Sequence, residues 1–113
     1  MDRVKSYSLL IKQALSEYAE VLNSPPQPDY SVTLAFDDER QQYLLRRVGW
    51  TATGRLRQTD LHVCLRNEKI WIEEDWTEEG IATWFLEHGV PQTDIVLGFQ
   101  PPMVRQQSEF AMA

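Results

Sequence analysis

His62 and Cys64 are the residues whose types and spacing come closest to a nucleophile with its base. They lie two positions apart in an alternating run, so on a β-strand their side chains share one face. Catalysis would also require a group that orients the base and a loop that stabilises an oxyanion, and no such motif accompanies the pair. A cysteine in such a run is more often a small buried hydrophobe, so we interpret both residues as structural.

The densest charge cluster is acidic and is the candidate for a hard-cation site. Glu73-Glu74-Asp75 is followed by Glu78 and Glu79, and carboxylates are ligands that Mg²⁺ and Ca²⁺ prefer. The cluster lacks EF-hand spacing and coincides with a predicted helix start, where acidic residues stabilise the helix unaided. We therefore predict that the cluster caps the helix, with Asp75 or Thr77 as the cap, and holds no metal. Since neither this cluster nor the His62–Cys64 pair forms a catalytic motif, we also predict no cofactor and no enzymatic activity.

Four arginines of the central region are candidate DNA-contacting residues. Across a hairpin they would form a local basic strip, with Tyr43 and Trp50 as stacking surfaces. Seventeen acidic residues against eleven basic ones give a net charge of −6, which repels a phosphate backbone over long range. Direct DNA binding is thus an alternative rather than the leading hypothesis. The four residues are Arg46, Arg47, Arg55 and Arg57.

Three apolar residues in unexpected places are candidate partner-binding residues. Trp76 lies in the polar stretch EEDWTEEG, where a large aromatic is either a lid over the core or a binding anchor. Phe110 and Met112 belong to an apolar C-terminus that would fray unless it docked on this chain or on another one. This tail makes self-association a further alternative.

Hydrophobic periodicity predicts the elements that position these residues. Apolar residues at steps of three and four predict a helix over about residues 3–22, ended by the proline-rich Ser24–Pro28. Alternation then predicts four strands joined by short polar turns, an antiparallel meander with one face on the core and one face partly polar. In the third strand Leu61, Val63 and Leu65 share the core face, opposite Asp60, His62, Cys64 and Arg66.

A second helix and a short strand follow the meander. Glu78 and Glu79 are expected in the first turn of this helix, and Gly89 ends it. Its inward stripe is predicted to comprise Ile81, Trp84, Phe85 and His88. Ile95–Leu97 predicts a short strand, and Pro101-Pro102 separates it from a tail. The fold class is α+β, with a single domain over residues 1–113.

Composition agrees with one self-contained domain. Of 113 residues 42% are apolar, and four Trp, four Tyr and four Phe provide material for a core. The lone cysteine excludes an internal disulfide. Neither a signal peptide nor a membrane span is recognisable, so we expect a cytoplasmic protein.

Several motifs together resemble the XisI family, the fdxN element excision controlling factor proteins of cyanobacteria. The resemblance extends from the first helix to the last residue. The chain departs from the family pattern at Trp76, where a small residue is common, at Gln100, where histidine often precedes the proline, and at Gln107-Ser108. The motifs are Phe36-Asp37-Asp38-Glu39-Arg40, Val48-Gly49-Trp50, Gly80-Ile81-Ala82, Gly89-Val90-Pro91 and Asp94-Ile95-Val96-Leu97.

The resemblance implies an α+β, XisI-like fold and no catalytic residues. It implies a role in controlling site-specific excision of a DNA element during heterocyst differentiation, alongside a separate recombinase. It also implies a XisH-like, endonuclease-related protein as partner, with DNA contacted only indirectly. An antitoxin-like inhibitor of that nuclease-related partner is the alternative, beside the direct DNA binding considered above.

Overall fold

The structure, a computed structural model, describes residues 2–26 and 29–113. The predicted α+β order, including the helix over 3–22 and the four-stranded meander, is confirmed. The elements are helix α1 (Arg3–Leu22), strands β1 (Tyr30–Asp37), β2 (Gln42–Thr51), β3 (Gly54–Arg66) and β4 (Lys69–Asp75), helix α2 (Ile81–Glu87), a 3-10 turn (Gln92–Asp94), strand β5 (Ile95–Leu97) and the one-turn helix α3 (Pro102–Arg105).

Helix α1 begins at a capped end and presents one apolar face to the sheet. The Asp2 carboxylate accepts the Val4 backbone N–H at 3.0 Å, which satisfies one of the free donors of the first turn. Steps of three and four place the side chains that α1 buries on one side of the helix. They are Tyr7, Ile11, Ala14 and Leu15.

The five strands form one sheet in the order β1-β2-β3-β4-β5. The first four are antiparallel, as predicted, and β5 pairs in parallel with β4. Parallel pairing requires a crossover, and the segment that contains α2 provides it. The sequence predicted the short strand Ile95–Leu97 but not its position as the fifth strand of this sheet.

The two faces of the sheet differ in what covers them. The face turned toward α1 and α2, here called the helix face, carries the main core, including Tyr43, Leu45, Val63 and Ile72. The opposite side of β1–β3, here called the open face, carries alternate residues such as the exposed Arg46 and Trp50. The predicted arrangement of one core face and one partly polar face is confirmed.

A bulge in β3 changes the predicted orientation of Asp60. Leu45 pairs with Leu61, but Arg46 pairs with Thr59, so Asp60 is the extra residue between them. The expectation that Asp60 lies on the side of His62 is therefore wrong. Asp60 is only 6% exposed and bonds to Arg47, on the helix face.

Helix α2 starts later than predicted. Its first residue is Ile81, so Glu78 and Glu79 precede the helix rather than occupy its first turn. Asp75 nevertheless supports this end, because its Oδ2 accepts the Ile81 backbone N–H at 2.7 Å. Three residues of the predicted stripe are buried, whereas His88 is exposed and stacks on Trp84 with ring centres 3.6 Å apart.

The C-terminal segment is a docked structure. Pro102 begins α3, where the fixed φ of proline suits the first helical position. Farther along, Ala111 forms a parallel bridge to Val96 and donates its N–H to the Ile95 carbonyl at 2.8 Å. The segment thereby covers a second, smaller cluster formed by Cys64, Trp71 and Val96. Within the described residues, no helix has the length and apolar character needed to cross a membrane.

Candidate partner-binding groove and arginine face

A groove of about 470 Å³ opens on the helix face, beyond the end of α1; it is called the tryptophan groove below. The last turn of α1 forms one wall, and the loop between β4 and α2 forms the other. Two apolar side chains stand at the groove with little cover, Val21 at 71% exposure and Trp76 at 67%. The groove is lined by Tyr18, Val21, Leu22, Arg47, Asp60, Leu61, Trp76, Thr77, Glu78 and Glu79.

A bidentate ion pair lies among the lining residues of the groove. Arg47 donates from Nε to Asp60 Oδ2 at 2.7 Å and from Nη2 to Asp60 Oδ1 at 3.0 Å. Gln58 donates a third hydrogen bond to Asp60 Oδ1 at 2.7 Å. The hydrogen bond to Asp60 raises the pKa of Arg47 above its ordinary value. The pair therefore fixes Arg47 on the helix face and neutralises its charge.

Trp76 is held in place by the backbone rather than by burial. Its backbone N–H donates to the Asp60 carbonyl at 2.9 Å, and its indole Nε1 donates to Glu74 Oε1 at 2.9 Å. The next residues are fixed by Asp75, whose Oδ1 accepts from the Thr77 backbone and hydroxyl at 2.9 and 2.6 Å. A large aromatic side chain is thus presented to solvent on an ordered loop, an arrangement suited to a binding anchor.

The rim of the tryptophan groove is acidic. Glu78 and Glu79 line it and are exposed, and Glu74 bonds to the Trp76 indole. An apolar wall with carboxylates around it suits a segment that offers an apolar side chain flanked by basic residues.

The four predicted DNA-contacting arginines are divided between the two faces of the sheet. Arg47 lies on the helix face in its pair with Asp60 and over the Tyr30 ring, 5.5 Å from its centre. Arg46, Arg55 and Arg57 lie on the open face, where Arg57 pairs with Val48 and Arg55 with Trp50. These three arginines and Trp50 are called the arginine face below. Of the two aromatics expected to stack, Trp50 is 62% exposed, whereas Tyr43 is buried at 1% and has no surface to offer.

The remaining partner-binding candidates lie in the docked C-terminal segment. Phe110 packs against the main core, whereas Met112 is 53% exposed. Neither residue lines the tryptophan groove. The structure therefore does not bring the three candidates together.

The side chains of His62 and Cys64 each contact a group other than one another. His62 Nε2 is 2.7 Å from Gln42 Oε1, and the buried Cys64 thiol contacts Glu73 Oε1 at 3.8 Å. Burial, followed by the negative charge of Glu73, raises the pKa of Cys64, so the reactive thiolate is disfavoured. In residues 2–26 and 29–113 no three His, Cys, Asp or Glu side chains converge as a metal site would require.

Sequence reasoning missed Asp60 and the inward position of Arg47. The sequence held a signal for Arg47, because the alternation Tyr43, Leu45, Arg47 places it on the core face. It held none for Asp60, since the bulge that turns this residue depends on how β3 pairs with β2.

Comparison with known proteins places this architecture in a family. The family model described as XisI protein matches residues 1–112. A crystal structure of a XisI-like protein from Anabaena variabilis ATCC 29413 is 33% identical, with a TM-score of 0.90 over 97% of this chain and 99% of that one. The fdxN element excision controlling factor XisI from the same organism is 39% identical, with a TM-score of 0.86 over 99% of this chain and 100% of that one. No curated protein matches the chain.

Proposed function

Because this chain belongs to the XisI family, we propose that it is a non-catalytic controlling factor for site-specific excision of a DNA element. It acts by binding a XisH-like, endonuclease-related partner. Any chemistry on DNA then belongs to the partner, in keeping with the hydrogen-bonded His62 and the buried Cys64.

The observation that carries the proposal is the tryptophan groove. Exposed Trp76 and Val21 offer apolar area beside the exposed Glu78 and Glu79. Aromatic anchors in such positions often supply a large share of binding free energy, and acidic rims select basic partners. The partner segment that fits is an apolar side chain next to lysine or arginine.

Capture of the partner tests this proposal. The tagged chain is co-expressed with a XisH-like protein, and Kd is measured for the purified pair. Trp76→Ala is expected to weaken binding about tenfold or more, through loss of the anchor. Trp50→Ala is the matched control, because it removes an equally exposed tryptophan on the open face. Absence of a complex at micromolar concentration, or equal losses in the two variants, would refute the proposal.

An antitoxin-like role uses the same groove and differs only in the effect on the partner. In that case the XisH-like protein expressed alone is toxic, and this chain relieves the toxicity. Trp76→Ala should then abolish the relief, and Trp50→Ala should leave it unchanged. A partner that gains activity on DNA when this chain is added identifies an activator instead.

A further inference from the structure

The arginine face brings three cations into one short row across two strands. On the open face Arg46 is opposite Thr59, and Arg57 is opposite Val48, which places Arg46 and Arg57 as diagonal neighbours. Diagonal neighbours of an antiparallel pair lie about 7–8 Å apart, and residues two apart on a strand, such as Arg55 and Arg57, about 7 Å apart. The three side chains therefore leave the open face at similar intervals across β2 and β3.

Within strands β1–β3, these cations lie apart from the carboxylates. Strands β1–β3 contain two carboxylates, Asp37 and Asp60. Asp60 is buried on the helix face, and Asp37, at the far end of β1, pairs with Arg40 at 3.2 Å. Among the residues that the structure describes, no ion pair engages Arg46, Arg55 or Arg57. Although the net charge of the chain is −6, this surface carries three positive charges that no ion pair in the described residues neutralises.

An exposed aromatic side chain completes the surface. Trp50 is 62% exposed, and the Arg55 guanidinium lies 5.3 Å from its ring centre, which orients the indole on the sheet. Ser31, Thr33 and Thr59 occupy neighbouring open-face positions and add hydroxyl groups. Closely spaced cations, an exposed indole and hydroxyl groups on one face of the sheet match the chemistry of phosphates, unstacked bases and sugars.

We propose that the arginine face binds single-stranded nucleic acid, with Arg46, Arg55 and Arg57 on successive phosphates and Trp50 stacked on a base. An acidic protein segment would satisfy the cations but has no base to place on the indole. The shared ligand chemistry is a phosphodiester backbone with unpaired bases, which both DNA and RNA single strands offer. The face is distinct from the tryptophan groove, so this binding is independent of the partner interaction.

Fluorescence anisotropy with labelled strands of about 20 nucleotides tests the proposal at low salt, where contacts between arginine and phosphate are least screened. DNA, RNA and duplex probes of one sequence are compared. Three phosphate contacts predict that log K falls with log salt with a slope of about −2 for a single strand. The triple variant Arg46→Gln, Arg55→Gln, Arg57→Gln should bring that slope near zero. Trp50→Ala should weaken binding about fivefold or more and leave the slope unchanged.

Matched controls separate the face from net charge. Arg3→Gln, Lys5→Gln, Arg40→Gln removes the same charge away from the arginine face and should cost little affinity, and Trp76→Ala should cost none. The proposal is overturned if neither single strand binds, if the two triple variants lose affinity equally, or if duplex binds as tightly as single strand. It is equally overturned if polyglutamate of equal charge competes as well as the oligonucleotide. Partner capture by the arginine triple variant should stay unchanged, so failure here leaves the proposed function standing.

Discussion

At the scale of single residues, the ion pair of Arg47 and Asp60 is the electrostatic interaction on which the stability of the fold depends most. Asp60 is 6% exposed and accepts three hydrogen bonds from two side chains. Losing one partner of such a pair leaves the other charge uncompensated, which costs more than the pair itself contributes. Surface pairs such as Arg40 with Asp37 carry no comparable penalty, since water solvates either partner.

We therefore expect Asp60→Ala to lower the free energy of unfolding by about 3 kcal/mol, since it strands the Arg47 guanidinium in a largely buried position. Urea unfolding measures the change. Asp37→Ala, which removes an exposed partner, should cost much less. Adding Arg47→Leu to Asp60→Ala should restore part of the loss. Equal effects of the two aspartate variants would contradict this role for Asp60.

The phenols of Tyr7 and Tyr43 predict a loss of stability at high pH. Burial, together with hydrogen bonds to Asp94 and Asp38, raises the pKa of each to about 12, against 10.0 ordinarily. The folded protein keeps these protons where the unfolded chain has released them. Their contribution is thus complete below about pH 10 and is lost toward pH 12, at about 1.4 kcal/mol per pH unit for each tyrosine.

Urea unfolding at several pH values above 9, with Tyr43→Phe as reference, isolates this effect. The variant keeps the ring in the core but has no phenolic proton. Between about pH 10 and 12 its free energy of unfolding should therefore fall with a slope about 1.4 kcal/mol per pH unit smaller than that of the parent. Parallel curves for the two proteins would show that Tyr43 titrates normally in the fold.

At the scale of elements, the start of β1 depends on a close approach to β2 at Gly49. Gly49 pairs with Tyr30, and a Cβ added there would lie 2.2 Å from the Asp29 carbonyl oxygen and 2.5 Å from the Tyr30 Cα. These are backbone atoms, so the strands must separate to relieve the contact. The same backbone carbonyl accepts the Trp50 N–H at 2.9 Å, which ties the approach to the position of Trp50.

Gly49→Ala is accordingly expected to destabilise the protein by about 2 kcal/mol or more, because it forces backbone apart rather than a flexible side chain. Urea unfolding should show the loss of stability, and the backbone amides of β1 should exchange hydrogen for deuterium faster than those of β3. Ala52→Ser, an exposed change in the next turn, should stay within about 0.5 kcal/mol. An alanine variant as stable as the parent would show that β1 shifts freely.

Elements whose cause is local could be predicted from sequence. Periods of 3.6 and 2 predicted α1 and β1–β4, and Gly89, at φ 89°, ends α2 as expected. The first turn of α2 was misplaced because Asp75 reaches over six residues to cap Ile81, a distance that the usual cap spacing does not include. The parallel position of β5 and the docking of the tail result from contacts distant in sequence, which periodicity does not encode.

The candidate sites were predictable in part, for the same reason. The unusual polar surroundings of Trp76 indicated its exposure, and alternation alone separates Arg46 from Arg47. Which arginines stay unpaired depended on the bulge at Asp60, and therefore on tertiary structure.

At the scale of the whole molecule, the two exposed tryptophans divide the surface into two sites of opposite charge. Trp76 stands among the carboxylates Glu74, Glu78 and Glu79, and Trp50 among Arg46, Arg55 and Arg57. The sheet separates them, so a partner in the groove and a nucleic acid on the open face do not compete for space. Both proposals together describe a small protein that holds an endonuclease-related partner near a single strand.

The C-terminal segment covers the cluster of Cys64, Trp71 and Val96 beside β5, and its removal tests how much it contributes to stability. Deleting residues 109–113 uncovers Val96 and removes Phe110 from the core along with the Ala111 bridge. Exposing the partly buried Phe110 and a few further apolar contacts to water should lower the free energy of unfolding by about 2 kcal/mol. Met112→Ala, at a residue 53% exposed, is the control and should stay within about 0.5 kcal/mol.

Light scattering of the same two proteins distinguishes a docked tail from a tail that binds a second copy. If the tail docks on its own chain, the truncated protein should be less stable at every protein concentration. It should also associate more readily, because the truncation exposes Val96 and Trp71. A tail that binds a second copy makes the parent associate and the truncated chain monomeric. The contacts of Phe110 and Ala111 lead us to expect the first outcome.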